Sequence, residues 1–388
     1  MINRTIFLKE EFMIEVVPVT TKKQMKQFVD FQPKLYKGNK FYVPPIRSDE
    51  LEVFNPKKSA HLGEDADAQC FLIKQDGKIV GRVAGIIQHN YNKKNNLKRA
   101  RISRLDFVNN YEVAKATLDA VENWAREQGM TSIHGPLGFN DLEREGLLVE
   151  GFDKLSTFET QYSHEYYYVL MEKCGYKKDV DWLEYQIKVP ESTPDVRATK
   201  LADLIAQRLK IHEVQPKSTK ELVDRYYTQI FDLLDEAYDE LYATVPLTQK
   251  VREGLLGQFK LLIDKDFISV IVDENDKLVA VGIAFPAIAK GMQKAHGRIL
   301  PFGFIPILHD IKHPRVVDLA LIGVKKEYRD KGVTALIFRN MTERLIKRGV
   351  KILETNCQLE DNFEIQSIFN KDYETKLVRR RRCYVKEL

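Results

Sequence analysis

DLALIGVKKEYRDKGVTALIFRNM, Asp318 to Met341, decides more about this chain's fold than any other stretch. Its opening is apolar and ends at Val324, and a polar turn follows. From Gly332 onward Val333, Leu336, Ile337, Met341 and Leu345 recur at the spacing of one helix face. Gly349 then stops the helix ahead of the apolar segment Lys351-Ile352-Leu353. A strand, a helix, a glycine stop and a second strand form a crossover unit whose two strands should run parallel. Unpaired N–H groups at such a helix start, with the positive end of its dipole, make a receptor for a phosphate. Gly332 lets an anion approach the backbone without a Cβ in the way, and Arg329 and Lys331 add positive charge to the turn.

Outward from that stretch the chain reads as one unit written twice. FLIKQDGKIVGRVAGIIQ (Phe71 to Gln88) is two apolar strands joined at Asp76-Gly77, a dipeptide suited to a tight hairpin turn, and ISVIVDENDKLVAVGIAF (Ile268 to Phe285) repeats the pattern. Val113, Ala116, Ala120, Val121 and Trp124 mark a first-half helix stopped by Gly129 before the apolar segment around Ile133. Each half ends in a strand-like run, Asp181 to Val189 and Arg379 to Leu388, and Pro190-Glu191-Ser192-Thr193-Pro194 is the natural linker. The expected organisation is therefore α/β with mixed sheets in two tandem domains, residues 13–190 and 195–388, preceded by an extension of about a dozen residues. The Gly- and Pro-rich AKGMQKAHGRILPFGFIPILHDIKHP, between the second hairpin and its crossover unit, is expected to be a lid, a wedge between domains, or a surface excursion.

Arg329-Asp330-Lys331-Gly332-Val333-Thr334 resembles the signature of the GNAT superfamily of acyl-CoA N-acyltransferases, Arg/Gln-x-x-Gly-x-Gly/Ala, at its Arg and Gly and departs from it at Thr334. The resemblance implies two tandem GNAT-like domains and acetyl-CoA or another acyl-CoA as co-substrate, its pyrophosphate at that turn. It also implies that the strand Leu321 to Val324, with Ile322 and Val324, splays from its neighbour to admit the pantetheine arm, with Asn362 near CoA. At the corresponding first-half turn stands Asn109-Asn110-Tyr111-Glu112, with neither arginine nor glycine, so that domain is expected to be degenerate. GPLGFNDLEREGLLVEGFD (Gly135 to Asp153) and the tyrosine-rich stretch after it resemble bacterial GNAT-like proteins of this length whose substrate is uncharacterised.

Acyl transfer from a thioester to an amine needs a base for the amine proton and an acid for the departing thiolate. The resemblance implies a base on the fourth or fifth strand, where Asp318 and Glu354 are the carboxylates. It implies an acid at a helical tyrosine, but Phe369 stands at that position. Tyr373 one turn on, or Tyr384 on the last strand, is then the candidate acid, against the plainer reading of a structural tyrosine. In the first half Asn140, Glu145, Glu150, Tyr162 and His164 could bind an amino substrate, or could merely cap helices and solvate loops.

Charge and cysteine usage narrow the remaining classes. The net charge of +5, from 61 basic and 56 acidic residues, does not demand nucleic acid. The run Arg379-Arg380-Arg381-Arg382 is expected to be the solvated face of a terminal strand. Four scattered cysteines give neither a disulfide framework nor a zinc spacing, and no metal is assigned at His164. No signal peptide or spanning segment is evident, so a cytoplasmic protein with no membrane partner is expected, acting on a small-molecule or peptide amine. The leading reading is an acyl-CoA-dependent N-acyltransferase; the alternatives are a non-catalytic ligand-binding protein and a Fem-type aminoacyltransferase.

Overall fold

The computed structural model describes residues 6–9, 12–192, 196–363, 366–367 and 373–388. Its strands are β1 (Ile6–Lys9), β2 (Phe12–Pro18), β3 (Ala66–Gln75), β4 (Lys78–Gln88), β5 (Arg99–Phe107), β6 (Ser132–Gly135), β7 (Leu147–Glu150) and β8 (Lys177–Lys188). There follow β9 (Ile211–Val214), β10 (Ile268–Asp273), β11 (Leu278–Pro286), β12 (Val316–Val324), β13 (Ile352–Thr355), β14 (Gln358–Leu359) and β15 (Thr375–Glu387). The helices are α1 (Lys22–Leu35), α2 (Arg47–Val53), α3 (His89–Asn95), α4 (Tyr111–Glu127), α5 (Tyr166–Lys173), α6 (Val196–Leu209), α7 (Thr219–Tyr238), α8 (Gln249–Phe259), α9 (Ala289–Ala295), α10 (Phe304–Lys312) and α11 (Val333–Lys347).

Both repeats form as their patterns dictate. Asp76 and Gly77 have φ of 50° and 75°, the left-handed pair that a two-residue turn requires, and they join β3 to β4 antiparallel with Gln75 opposite Lys78. The crossover strands are parallel in each repeat, β5 with β6 and β12 with β13. A glycine of the hairpin's second strand lets each crossover helix lie close. A Cβ at Gly85 would stand 2.4 Å from the Trp124 ring, and one at Gly282 would stand 2.3 Å from Ile337 Cγ2.

The chain forms two compact units, and they do not follow a single cut near residue 190. One comprises Met1–Leu183, Ala289–Ile307 and Val378–Leu388; the other comprises Glu184–Ile288 and Leu308–Leu377. The reason lies in the last strand of each half. In the first unit β6 would end the sheet with an open edge, and β15 closes it, Tyr384 opposite Gly135 and Val385 opposite His134. In the second unit β13 takes the end of β8, Leu353 opposite Ile187. The glycine-rich insertion, to Ile307, belongs to the first unit. Gln293 Nε2 there donates to the carbonyls of Lys40 and Tyr42 at 2.9 Å each.

The arginine run is not a solvated face. Strand alternation turns Arg379 and Arg381 inward, 1% and 0% exposed, where they donate to the carbonyls of Leu155 and Gln161. Arg380 and Arg382 turn the other way and pair with Glu150 and Asp181. The linker residues Thr193 and Pro194, the start of the expected second domain at 195, and Phe369 lie outside the described residues.

Candidate active site

In the second unit β12 and β13 pair only from Val316 with Ile352 to Leu319 with Thr355, and beyond that point the rest of β12, to Val324, runs without β13. The exposed edge of Ile322 is met by one hydroxyl. Tyr238, at the end of α7, accepts from Ile322 N–H at 3.3 Å and donates to Ile322 C=O at 3.1 Å. Gly332 opens α11 in the left-handed region at φ 81°, and no side chain caps the helix. A Cβ on Gly332 would stand 2.7 Å from Ile205 Cδ1, so the glycine serves both the turn and the packing of α6. Arg329 is turned into the protein, donating to Ala237 C=O at 2.9 Å, while Lys331 lies over the Tyr328 ring at 5.8 Å.

The first unit parts its strands at the same place and then seals the gap. Pairing of β5 with β6 runs from Arg99 to Arg101, after which Leu137 N–H bonds Ile102 C=O at 2.8 Å. Farther along β5, Tyr167 Oη accepts from Phe107 N–H at 3.2 Å, and Tyr166 donates to Phe107 C=O at 2.7 Å. Tyr167 also donates to Asp106 (3.2 Å) and accepts from Tyr36 (3.0 Å), while Asp106 holds Arg82 at 2.7 Å. Helix α4 is capped by Asn110, whose side chain accepts from the N–H groups of Glu112 (2.9 Å) and Val113 (3.2 Å). A cavity with room for about one water molecule remains, lined by Gln32, Glu50, Arg82, Arg104, Arg144 and Gln161 among others. Arg104 is shared there between Glu50 (3.3 Å) and Glu143 (3.0 Å).

A crossover helix beside parting parallel strands, repeated in one chain, is also the architecture of known structures. A tandem GNAT protein from the clavulanic acid biosynthesis pathway aligns with a TM-score of 0.57 at 12% identity, over 96% of this chain and 98% of that one. This is a tandem GNAT fold. A GCN5-related N-acetyltransferase from Sphaerobacter thermophilus aligns over 98% of this chain and 97% of that one, with a TM-score of 0.51 at 12% identity. In sequence, Protein YghO of Escherichia coli (strain K12) is 25% identical over 376 residues, 93% of this chain and 94% of that protein. The bacterial ceramide synthase of Caulobacter vibrioides (strain NA1000 / CB15N) is 22% identical over 319 residues, 81% and 82% of the two chains. No family model matches the chain.

Within this GNAT fold the second unit gathers some of the sequence candidates and disperses others. Asp318 and Glu354, both buried, are register partners across β12 and β13, and Gln186 donates to Glu354. Asp330, at φ 58°, and Lys331 lead into Gly332, and Val333 and Thr334 are buried in the first turn of α11. Val324 C=O receives a long contact from Arg329 Nε at 3.5 Å. Asn362 is half-buried, its N–H on Leu359 C=O at 3.0 Å. Tyr373 contacts Thr342 Oγ1 at 3.2 Å, which places it about 14 Å along α11 from the Gly332 end. Tyr384 falls in the first unit, buried and donating to Glu172 at 3.0 Å; burial, and then that carboxylate, push its pKa above the ordinary tyrosine value. The strand exchange is what places it in the unit that does not contain Gly332.

The first-half candidates do not meet in one place either. Asn140 Oδ1 accepts from Leu142 N–H at 3.0 Å, a turn contact, and its Nδ2 has no partner among the described residues. Glu145 is buried with Oε1 unbonded; burial, then the neighbouring Asp141, push its carboxyl well above the usual range. Glu150 is exposed and pairs with Arg380. Tyr162 donates to Phe152 C=O at 3.0 Å. His164 stacks on Tyr36 at 4.7 Å, and burial holds its imidazole below its ordinary value. Sequence reading missed Asp106, Arg82, Arg104 and Tyr238, and took Tyr167 only as a group that could bind a polar ligand. For the charged residues the available signal was Arg82 inside the apolar run GRVAGIIQ and Arg104 and Asp106 inside RISRLDFV, where a charge facing inward demands a partner.

His134, Asp179 and Cys383, from β6, β8 and β15, have donor atoms all within 4.8 Å of one another, a grouping invisible in sequence spacing. Arg99 stands 3.7 Å from the Asp179 carboxylate, and Arg101 and Arg99 add to burial in holding His134 well below its ordinary pKa. That positive surrounding opposes a dication.

Proposed function

We propose that this protein is an acyl-CoA-dependent N-acyltransferase whose CoA lies in the second unit. The observation that carries the reading is the parting of β12 from β13 beside a helix start that has no side-chain cap. The N–H groups of that first turn suit a diphosphate, and Lys331 is the cation left nearest to them in sequence. Arg329 supports the turn from within by holding the end of α7. When bound, acyl-CoA would supply the activated acyl group as a thioester. Asp318 and Glu354, register partners next to where the strands part, are the carboxylates that would take the amine proton. Tyr373 remains the candidate acid on its hydroxyl's half-buried position.

The acceptor we propose is a long-chain amino alcohol. It is supported by the likeness, over 81% of the chain, to a protein named as a bacterial ceramide synthase, since a ceramide is the amide of such an amine. The test is thiol release from acetyl- and long-chain acyl-CoA with sphingoid bases, short amines and peptide amines, alongside CoA titration. Gly332→Asp should weaken CoA by about a hundredfold or more, because its carboxylate would face the diphosphate, with the neutral Gly332→Asn in between. Equal affinity of wild type and a folded Gly332→Asp would refute the placement, and release with short amines alone would refute the acceptor.

A further inference from the structure

The insertion in the first unit ends in a tip of large apolar side chains held out in water. Leu300 is 77% exposed, Phe302 73%, Ile305 55% and Phe304 39%. These four stand within six residues, whereas exposed apolar side chains on a soluble surface are usually scattered singly. The tip is also preformed. Phe304 N–H closes it onto Ile299 C=O at 2.8 Å, and a Cβ on Gly303 would lie 1.7 Å from Arg298 C=O, so only glycine fits that turn. Behind it, Met292 and Ile307 are buried, Gln293 is bonded to two backbone carbonyls, and Arg47 N–H bonds Gly297 C=O at 2.8 Å. A rigid base and an apolar tip do not describe a loop that collapses back onto its own protein.

The charges around the tip say what could cover it. Lys290, Lys294, His296 and Arg298 are all exposed, and no Asp or Glu occurs from Lys290 to Ile307. None of the three permanent cations enters an ion pair among the described residues. Arg298 also acts on the Asp30 carboxylate, itself paired with Arg47, and an apolar wedge backed by exposed cations matches the layering of an anionic bilayer, where phosphates lie just outside the acyl chains. We propose that this tip, Leu300 to Ile305, docks the protein on the surface of an anionic phospholipid membrane. The expectation of no membrane partner rested on the lack of a spanning segment, and surface docking needs none. Among the described residues no helix is long and apolar enough to cross a membrane.

The full chain should be mixed with vesicles of phosphatidylcholine alone and of phosphatidylcholine with phosphatidylglycerol, and the bound fraction read by sedimentation. Wild type should bind the phosphatidylglycerol vesicles, and less so as salt rises. Leu300→Ser with Phe302→Ser should lower the partition coefficient about tenfold or more. Lys290→Glu with Lys294→Glu should lower binding only where phosphatidylglycerol is present. Phe302→Ser alone serves if the double variant loses its circular dichroism. Failure of wild type to bind phosphatidylglycerol vesicles, or undiminished binding by the serine variants, would overturn the proposal. Self-association of wild type that the serine variants abolish, without vesicle binding, would make the tip a protein interface instead. Because the readout is partition, its outcome does not depend on whether acyl transfer is observed.

Discussion

The starts of α4 and α11 are the same place in two repeats, and their contrast explains how one fold comes to hold two different sites. At α4 the side chain of Asn110 consumes two N–H groups, and half-buried Tyr166 and fully buried Tyr167 close the parted edge of β5 at Phe107. At α11 Gly332 brings no cap, and a single half-buried hydroxyl, Tyr238, meets the parted edge of β12 at Ile322. A parted strand leaves backbone polar groups that must find partners. The first unit gives them permanent ones, tied into a buried network through Asp106 and Arg82, whereas the second gives them one that can be exchanged.

The comparison assumes that each unit is completed by a strand from the other half, and removing one should have the largest effect. Deleting residues 378–388 takes away Arg381, Cys383 and Tyr384, each 0% exposed, and leaves β6 without its partner. The shortened chain should lose the cooperative melt of the first unit in circular dichroism. An unaltered melt would show that the halves fold without exchange.

A second test asks whether the first unit's interior is as closed as described. The raised pKa of Glu145 means that the folded state holds its proton more tightly than the unfolded chain does. Its contribution to stability is therefore complete below the unfolded value of 4.5 and is lost as pH rises toward the folded value. Glu145→Gln should accordingly gain stability over wild type as pH rises above that value, by at most about 1.4 kcal/mol per pH unit. A difference in Tm that stays constant from acid to neutral pH would mean that the carboxyl is hydrated.

The smallest effects bear on the contrast itself. Tyr167→Phe should cost about 1–3 kcal/mol in urea unfolding, because it strips partners from buried Asp106 and Phe107 N–H. Tyr238→Phe should cost less, under about 1 kcal/mol, since water reaches a half-buried edge. It should also raise CoA affinity if CoA uses the groups that Tyr238 now holds. Equal costs at the two positions would erase the distinction between a sealed repeat and an open one.

Much of this was legible in the residues themselves. Asp76-Gly77 specified its hairpin, the spacing from Val333 to Leu345 specified α11, and Asn110 against Gly332 already separated the two helix starts. The candidate acid was not legible, because Tyr384 belongs to the unit of Gly332 only if each half keeps its own last strand, and Tyr373 was named without knowing which part of α11 it would meet.

By itself the sequence determined what depends on neighbours a few residues apart: turn conformation, helix caps, the period of each apolar face, and hence the two crossover units. Tertiary structure alone decided which edge each terminal strand closes, that Arg379 and Arg381 point inward, and that tyrosines rather than a strand complete β5. An open strand edge offers the same backbone groups to any partner. The choice among partners rests on registers and packing hundreds of residues apart, which no local pattern encodes.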